Sequence, residues 1–172
     1  SSGSHAEGRI AGKAAIRYDA AAKVTGEAVY CTDFSRANQL YGKILYSDRP
    51  HARIGSIDPR PALAMEGVRV VVTSADTPEV RYGLYMQDRY VFAKDRVRHI
   101  GEPVAAVAAE TELLAEKARE AIVVEYEDLP AVFSPEDALA PNAPILHPDV
   151  QDYAGLYDWI NYDNVCMEAE VG

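Results

Sequence analysis

The sequence predicts an α+β fold in which short helices pack on a mixed β-sheet, and three neighbouring segments carry this prediction. Residues 103–109 (PVAAVAA) are apolar throughout, which is typical of a strand covered on both faces. A segment with helical periodicity follows at 111–121, and an alternating segment at 122–127 comes next. Because both periods occur, a fold that combines helices with a sheet is favoured over an all-α or all-β fold.

The remaining elements are placed by local signals. Glycines and prolines interrupt the apolar segments and mark turns. Pro59 and Pro135 suit the first position of a helix, because a proline has no N–H that would remain unpaired there. In chain order we predict a short helix from Ala20, a turn at 23–26, strands at 40–47 and 52–57, a helix at 59–65, strands at 68–72 and 96–100, and a short helix from Pro135.

Two elements have a defined apolar face. Thr111 should cap the helix at 111–121. The strand at 96–100 is followed by Gly101, which permits a bend. The residues expected on one face are Leu114, Ala118, Ala121 and Ile122 of the helix, and Leu40, Ile44 and Tyr46 of the first strand.

The composition disfavours several classes of function. The 172-residue chain has a formal net charge of −10, so the basic face that binds nucleic-acid phosphates or an anionic membrane is not expected. No apolar run approaches the roughly 18 residues of a transmembrane helix, and no secretory signal is found, so we predict a cytoplasmic location. Cys31 and Cys166 are too few for a four-thiolate metal site, and we expect both to be reduced.

The chain divides into three predicted segments. Residues 1–6 (SSGSHA) are interpreted as a remnant of an expression tag. Residues 7–140 are predicted to form the folded domain, and residues 141–172 a C-terminal segment that leads away from it. Residues 73–95 are polar and rich in tyrosine, which predicts a long excursion over the surface.

The four histidines form no metal-binding pattern. His5 belongs to the tag remnant, whereas His51, His99 and His147 are far apart and outside any HExxH or H-x-H pattern. A zinc site would require these side chains to converge in space. We therefore interpret them as loop or surface residues and predict no native metal site.

Two pairs of polar residues are candidates for acid–base chemistry. His99 and Glu102 could act as a base and its orienting group, although the intervening Gly101 favours a structural bend. Glu125 and Glu127 could form a carboxylate pair, but their alternation with apolar residues favours a solvated strand face. Glycine-rich phosphate loops and a GxSxG elbow do not occur, so we assign no catalytic, cofactor-binding or metal-binding residue.

Four aromatic residues lie near the end of the chain: Tyr153, Tyr157, Trp159 and Tyr162. Aromatic side chains of this kind are common at interfaces, because each combines a large contact area with a polar group. An interface with a neighbouring domain and a cover for the domain's own core are both open interpretations.

Five motifs occur in a fixed order along the chain. They are RYDAAAKVTGEAVYCTD at 17–33, LYGKILYS with HARI between 40 and 54, GVRVVVT at 67–73, RHIGEPVAAVAAET at 98–111 and VEYEDLPAV at 124–132. In this order they resemble the N-terminal a/b hammerhead domain of the molybdopterin-binding large subunit in xanthine dehydrogenases and aldehyde oxidases. Glu66 stands where that family often has proline, and residues 79–90 match none of its motifs.

The resemblance implies a role in a larger enzyme. Members of the family hydroxylate aldehydes or nitrogen heterocycles with a molybdenum–molybdopterin centre, and iron–sulfur clusters and usually FAD pass the electrons on. Their pterin-binding loops and glutamate base lie downstream of the hammerhead domain. The chain is thus expected to be a non-catalytic structural domain that packs against the downstream molybdopterin-binding domains and against iron–sulfur and flavin subunits or domains. The alternatives are a stand-alone ligand-binding or adaptor module and a small hydrolase that uses His99 and Glu102.

Overall fold

Short helices and strands alternate in the computed structural model, which describes residues 16–84, 86–154 and 164–165. The predicted α+β class is confirmed, but the strands form two three-stranded antiparallel sheets in place of the one mixed sheet that the sequence predicted. The strands are β1 (Tyr41–Tyr46), β2 (Ala52–Asp58), β3 (Val68–Thr73), β4 (Arg96–Val97), β5 (Pro103–Ala109) and β6 (Val123–Asp128). The helices are α1 (Ala20–Thr25), α2 (Arg60–Leu63), α3 (Glu112–Ala121) and α4 (Pro135–Ala138), with 3-10 turns at Cys31–Asp33, Ser74–Asp76 and Val150–Asp152.

The chain divides into two compact units, residues 1–39 and residues 40–172. The described part of the first unit holds α1, which ends at Thr25 with Gly26 in the left-handed conformation at φ 78°. The predicted turn at 23–26 is therefore mostly helical. An ion pair of 2.6 Å between Lys23 Nζ and Asp19 Oδ2, four residues apart, supports the extra turn of helix.

The first sheet, in the order β1-β5-β3, has β5 at its centre. In one rung Ile44 of β1 lies beside Ala106 of β5, which lies beside Val72 of β3. Helix α3 packs against one face of this sheet, where Ala105 and Val107 are almost completely buried. The predicted strand at 103–109 is confirmed at both ends.

The second sheet, in the order β4-β2-β6, follows the usual alternation of a sheet with one face in solvent. Ile57 lies beside Val124 on the inner face, whereas Arg53 lies beside Glu127 on the outer face. β5 and β6 belong to different sheets, so the segment β5–α3–β6 links the two sheets instead of crossing over one of them.

The core of the second unit consists of two clusters built from small side chains. The larger cluster fills the space between the first sheet and helices α2 and α3, and the smaller one surrounds Val97 and Val104. Ile57 and Val124 pack against both clusters and connect them. Because alanine and valine dominate both clusters, the backbones of helix and sheet approach each other closely.

Helix α3 begins and ends as predicted. The Thr111 hydroxyl accepts a hydrogen bond of 3.2 Å from the backbone N–H of Leu114, which is the expected N-cap. Ala118 and Ile122 are buried as expected, and Ala115, which the sequence pattern did not single out, is completely buried as well.

Two further predictions differ from the structure by more than one or two residues at an end. β4 covers only Arg96–Val97, because the Glu102 carboxylate accepts a 2.6 Å hydrogen bond from the backbone N–H of Arg98 and ends the strand. The surface excursion predicted at 73–95 is wrong at its C-terminal end. Phe92 and Ala93 are buried there, and the backbone N–H of Ala93 donates to the Pro103 carbonyl at 2.8 Å.

Gly67 and Gly101 provide a matched pair for a stability test, because both have φ 88°. Gly101→Ala should lower the free energy of unfolding by about 1–2 kcal/mol, the cost of an L residue in the left-handed region. Gly67→Ala should cost about 2–3 kcal/mol, since a Cβ there would lie 2.7 Å from Leu114 Cδ2 and force that side chain to move. Urea unfolding of both variants measures the difference.

A Leu114→Ala background provides the control for the steric part. With the leucine shortened, the two glycine substitutions should cost nearly the same, because the left-handed conformation is then the main penalty. Equal costs in the unaltered background would contradict the steric explanation.

Candidate functional site

One group of charged and aromatic side chains stands out among the described residues, and we call it the Asp149 cluster. The Arg81 Nη2 atom lies 2.6 Å from Asp149 Oδ2, and Arg98 Nη2 lies 3.8 Å from Asp149 Oδ1. The Arg81 guanidinium also lies over the Tyr153 ring, 4.6 Å from its centroid. The members are Arg81, Arg98, His147, Asp149 and Tyr153.

A chain of hydrogen bonds connects three members of the cluster. The Tyr153 hydroxyl donates to Asp149 Oδ1 at 3.0 Å, because a carboxylate can only accept. The same hydroxyl oxygen lies 3.0 Å from His147 Nδ1, so it accepts the Nδ1–H of a neutral histidine. The geometry thus fixes which ring nitrogen of His147 carries the proton.

Burial and charge shift the pKa values of these groups. Burial, together with the positive charge of Arg98, lowers the pKa of His147. Burial raises the pKa of Tyr153 to about 12, and its hydrogen bond to Asp149 acts in the same direction. Burial alone would raise the pKa of Asp149, but the hydrogen bond from Tyr153 and the arginine charges lower it below its usual value. At neutral pH the cluster therefore holds a neutral histidine and an ionised aspartate.

The cluster attaches the segment at 146–154 to the segment at 81–98. Arg98 Nε donates to the Leu146 carbonyl at 3.1 Å, and the backbone N–H of Gln87 donates to the Ala154 carbonyl at 3.0 Å. Residues 79–90, which match none of the family's motifs, thus hold the C-terminal segment. No local sequence signal could reveal this, because the partners are distant in sequence.

Asn164 makes a second attachment. Its amide Nδ2 donates to the carbonyls of Ala138 at 3.1 Å and Pro144 at 3.0 Å, and its Oδ1 accepts from the backbone N–H of Leu146 at 3.2 Å. One side chain thereby satisfies three backbone groups, one at the last residue of α4 and two in the loop that follows it. This loop has a defined course although it has little regular structure.

His51, His99 and His147 all lie outside helices and strands, in agreement with the interpretation as loop or surface residues, but only His99 is exposed. The His51 side chain is 4% exposed, and its Nδ1 donates to the Pro130 carbonyl at 2.7 Å. The backbone N–H of Leu129 donates to the His51 carbonyl at 2.9 Å, so His51 fixes the chain where β6 ends. His51 Nε2 is buried without a hydrogen-bond partner in the described part of the molecule.

The candidate acid–base pairs do not form catalytic pairs in the structure. His99 is exposed and its Nδ1 lies 2.9 Å from the Ile100 carbonyl, whereas the Glu102 carboxylate binds the backbone of Arg98. Glu125 and Glu127 are exposed on the outer face of β6, and Glu125 accepts a hydrogen bond of 2.7 Å from the Ser56 hydroxyl. The predicted solvated strand face is confirmed.

The aromatic residues near the C-terminal end are only partly described. Tyr153 is 4% exposed and belongs to the Asp149 cluster, so it serves the interior of the domain. Tyr157, Trp159 and Tyr162 lie outside the described residues. Cys31 is free and exposed, whereas Cys166 lies outside the described residues.

The Asp149 cluster does not fit a molybdopterin site. Within 16–84, 86–154 and 164–165 no three metal-ligating side chains converge. The two arginines of the Asp149 cluster, which could attract a phosphate, already face the carboxylate of Asp149. In the same ranges no helix is long and apolar enough to cross a membrane.

Comparison with known proteins decides the family. The family model described as "Aldehyde oxidase and xanthine dehydrogenase, a/b hammerhead domain" matches residues 25–130. The chain belongs to this family. The hammerhead match covers both sheets and α3, and it ends before α4 and the segment that carries His147 and Asp149.

The hammerhead chain is similar to parts of longer proteins. It is 51% identical over 135 residues to a probable xanthine dehydrogenase subunit of Bacillus subtilis (strain 168), covering 78% of this chain and 18% of that protein. It is 37% identical over 142 residues to the "Nicotinate dehydrogenase large molybdopterin subunit" of Eubacterium barkeri, covering 82% of this chain and 33% of that protein.

Solved structures show the same relation. A chain of CO dehydrogenase from Oligotropha carboxidovorans superimposes with a TM-score of 0.70 at 32% identity, over 80% of this chain and 18% of that one. Aldehyde oxidoreductase from Desulfovibrio gigas gives a TM-score of 0.68 at 33% identity, over 77% of this chain and 16% of that one. The hammerhead chain thus spans less than a fifth of each of these two chains.

The shifted pKa of His147 predicts a loss of stability in mild acid. Its folded-state pKa lies below the value of about 6.5 in an unfolded chain. The neutral ring therefore stabilises the fold above that value, and this contribution is lost as the pH falls through the folded pKa. The free energy of urea unfolding should decrease between about pH 7 and pH 5, and His147→Gln should flatten the decrease.

His99→Gln is the matched control for this measurement, because His99 is exposed. It should keep the pH dependence of the unaltered chain. Parallel curves for the unaltered chain and His147→Gln would show that His147 does not carry the effect.

Proposed function

We propose that the chain is the non-catalytic N-terminal structural domain of a molybdenum hydroxylase large subunit. It packs against the cofactor-binding domains of that subunit and against partner subunits. The observation that carries the proposal is the family match over 25–130 together with the 18% share of the Bacillus subtilis relative that the chain covers. The candidate acid–base residues support the proposal, because the Glu102 carboxylate binds the backbone N–H of Arg98 and the Glu125 carboxylate binds the Ser56 hydroxyl.

In this proposal residues 7–140 are the hammerhead domain, residues 141–172 lead to the molybdopterin-binding domains, and residues 1–6 are a tag remnant. The Asp149 cluster and Asn164 support it, because they hold the segment after α4 in a defined course. A chain that leaves a domain along a fixed course positions the domain that follows it. The cytoplasmic location stays a prediction.

The parent protein would be an oxidoreductase. Its molybdopterin would supply the hydroxylation chemistry from domains outside this chain, and iron–sulfur clusters and FAD elsewhere in the complex would carry the electrons. Support comes from the relatives, whose names include a xanthine dehydrogenase and a large molybdopterin subunit. The residues of this chain would act through packing alone.

A second candidate function is a stand-alone ligand-binding or adaptor module. It is favoured by an open cleft of about 690 Å³ in the segment 79–90, for which the sequence analysis found no family motif. The cleft is lined by Tyr82, Gly83, Leu84, Met86, Asp88 and Arg89. Such a module would bind its ligand without any redox cofactor.

Metal and pterin measurements distinguish the two functions. The natural full-length protein, expressed with its neighbouring subunits, should contain near-stoichiometric molybdenum and pterin. The 172-residue chain, purified from the same host, should contain neither, because the two arginines of the Asp149 cluster are already paired with its carboxylate. A stoichiometric pterin on the 172-residue chain would contradict the structural role.

The length of the natural chain, read from its gene, is the control for these metal and pterin measurements. A natural chain that ends near Gly172 and purifies without molybdenum would support the stand-alone module. In that case Leu84→Asp, placed in the cleft, should weaken ligand binding, whereas Leu113→Asp on the exposed side of α3 should not.

A further inference from the structure

One face of the first sheet carries apolar side chains that stay exposed. In the register of the sheet, two neighbouring rungs point away from α3, and neither contains a charged residue. Side chains at directly paired positions lie on the same face. We call these six residues the outer face: Gly42, Ile44, Val70, Val72, Ala106 and Ala108.

The two faces of the same sheet differ in burial. On the inner face Ala105, Val107 and Val71 are between 0% and 9% exposed, because α3 and α2 cover them. On the outer face Ile44 is 40% exposed and Val70 is 42% exposed. Both faces carry mainly apolar side chains, as a protein core does, but only the inner face is buried.

The second sheet serves as a comparison within the same chain. Its outer face carries Arg53 beside Glu127 and Ser56 beside Glu125, which is the polar pattern of a face in water. The outer face of the second sheet carries charged side chains, whereas the outer face of the first sheet carries none, although the chain as a whole is acidic. The difference indicates that the outer face of the first sheet is not a water-facing surface in the complete protein.

The sequence of β5 leads to the same conclusion. A strand that is apolar at every position is typical of a sheet covered on both sides. At Ala105 and Val107 that cover is provided by α3, whereas Ala106 and Ala108 remain half-buried. The described residues thus cover the second face of the strand at Val104, which packs in the smaller core cluster, and leave it open at Ala106 and Ala108.

We propose that the outer face is the docking surface for a downstream segment of the same large-subunit polypeptide. This inference rests on the proposed function and adds to it the surface through which the domain packs. The docked element contacts Ile44 and Val70 with apolar side chains. Ala106 and Ala108 lie on β5 between these two larger residues, Gly42 lies beside Ala108 on β1, and all three let the backbone of the element come close.

The size of the face selects this occupant over a second copy of the chain. Two rungs across three strands extend roughly 10 Å by 7 Å. A stable complex of separate chains buries about 800 Å² on each partner, far more than this face offers. A segment on the same polypeptide needs less area, because the connection gives it a millimolar effective concentration. In the Bacillus subtilis relative, most of the polypeptide lies outside the matched region.

Carbene footprinting of the natural full-length protein and of the 172-residue chain tests the inference. A side chain covered at a packed interface falls below about one tenth exposure, so labelling of Val70, now 42% exposed, should drop about fivefold in the full-length protein. Val123 on β6 is the matched control, because it is 51% exposed and lies outside the proposed surface. Its labelling should be equal in both proteins.

Lysine substitutions provide the second measurement. Val70→Lys and Val123→Lys should both leave the melting temperature of the 172-residue chain nearly unchanged, since both sites are exposed. In the full-length protein only Val70→Lys should lower the melting temperature. An unchanged melting temperature of full-length Val70→Lys would count against docking.

The outcomes separate this inference from the proposed function. Equal labelling of Val70 in both proteins, with molybdenum present in the full-length one, overturns the docking surface and leaves the proposed function intact. Protection of Val70 in the 172-residue chain together with a dimer in sedimentation overturns it in favour of a second copy. A natural chain that ends near Gly172 overturns both.

Discussion

The fold of residues 40–172 depends on one constraint, the burial of β5. This strand is apolar from Pro103 to Ala109 and lies between β1 and β3, so it supplies backbone partners to both edges of the first sheet. Its side chains contribute to both clusters of the core, with Ala105 and Val107 in the larger one and Val104 in the smaller one. Helix α3 and β6 follow directly and carry the chain from the first sheet to the second.

The sequence predicted best where the signal is local. The apolar run of β5 and the Thr111 cap of α3 lie within the elements that they specify, and both elements have the expected bounds at nearly every residue. The order of strand, strand, helix and strand between 96 and 128 also agrees. The fold class followed from these elements, but the division into two sheets did not, because no local pattern states which strands pair.

The Asp149 cluster and His51 show the limit of such reasoning. Arg81 meets Asp149, and His51 meets Pro130, across long stretches of chain that only the folded state brings together. The residue types did not predict these contacts, since arginine and aspartate are usually solvated and an isolated histidine is usually exposed. The candidate pair His99 and Glu102 failed for the opposite reason. The residues are close in sequence, but the bend at Gly101 directs Glu102 to the backbone of Arg98.

The pairing of distant strands also sets the order of events when the chain folds. Tyr41 pairs with Ala109 and Ala52 with Asp128, so both sheets are built from long-range contacts and should form slowly. During synthesis β1 and β3 emerge from the ribosome well before β5, and they have no partner until it follows. The apolar strands therefore spend that interval open to chaperones and to other nascent chains. Slower translation between residues 73 and 109 would therefore lengthen the interval in which β1 and β3 lack their partner strand.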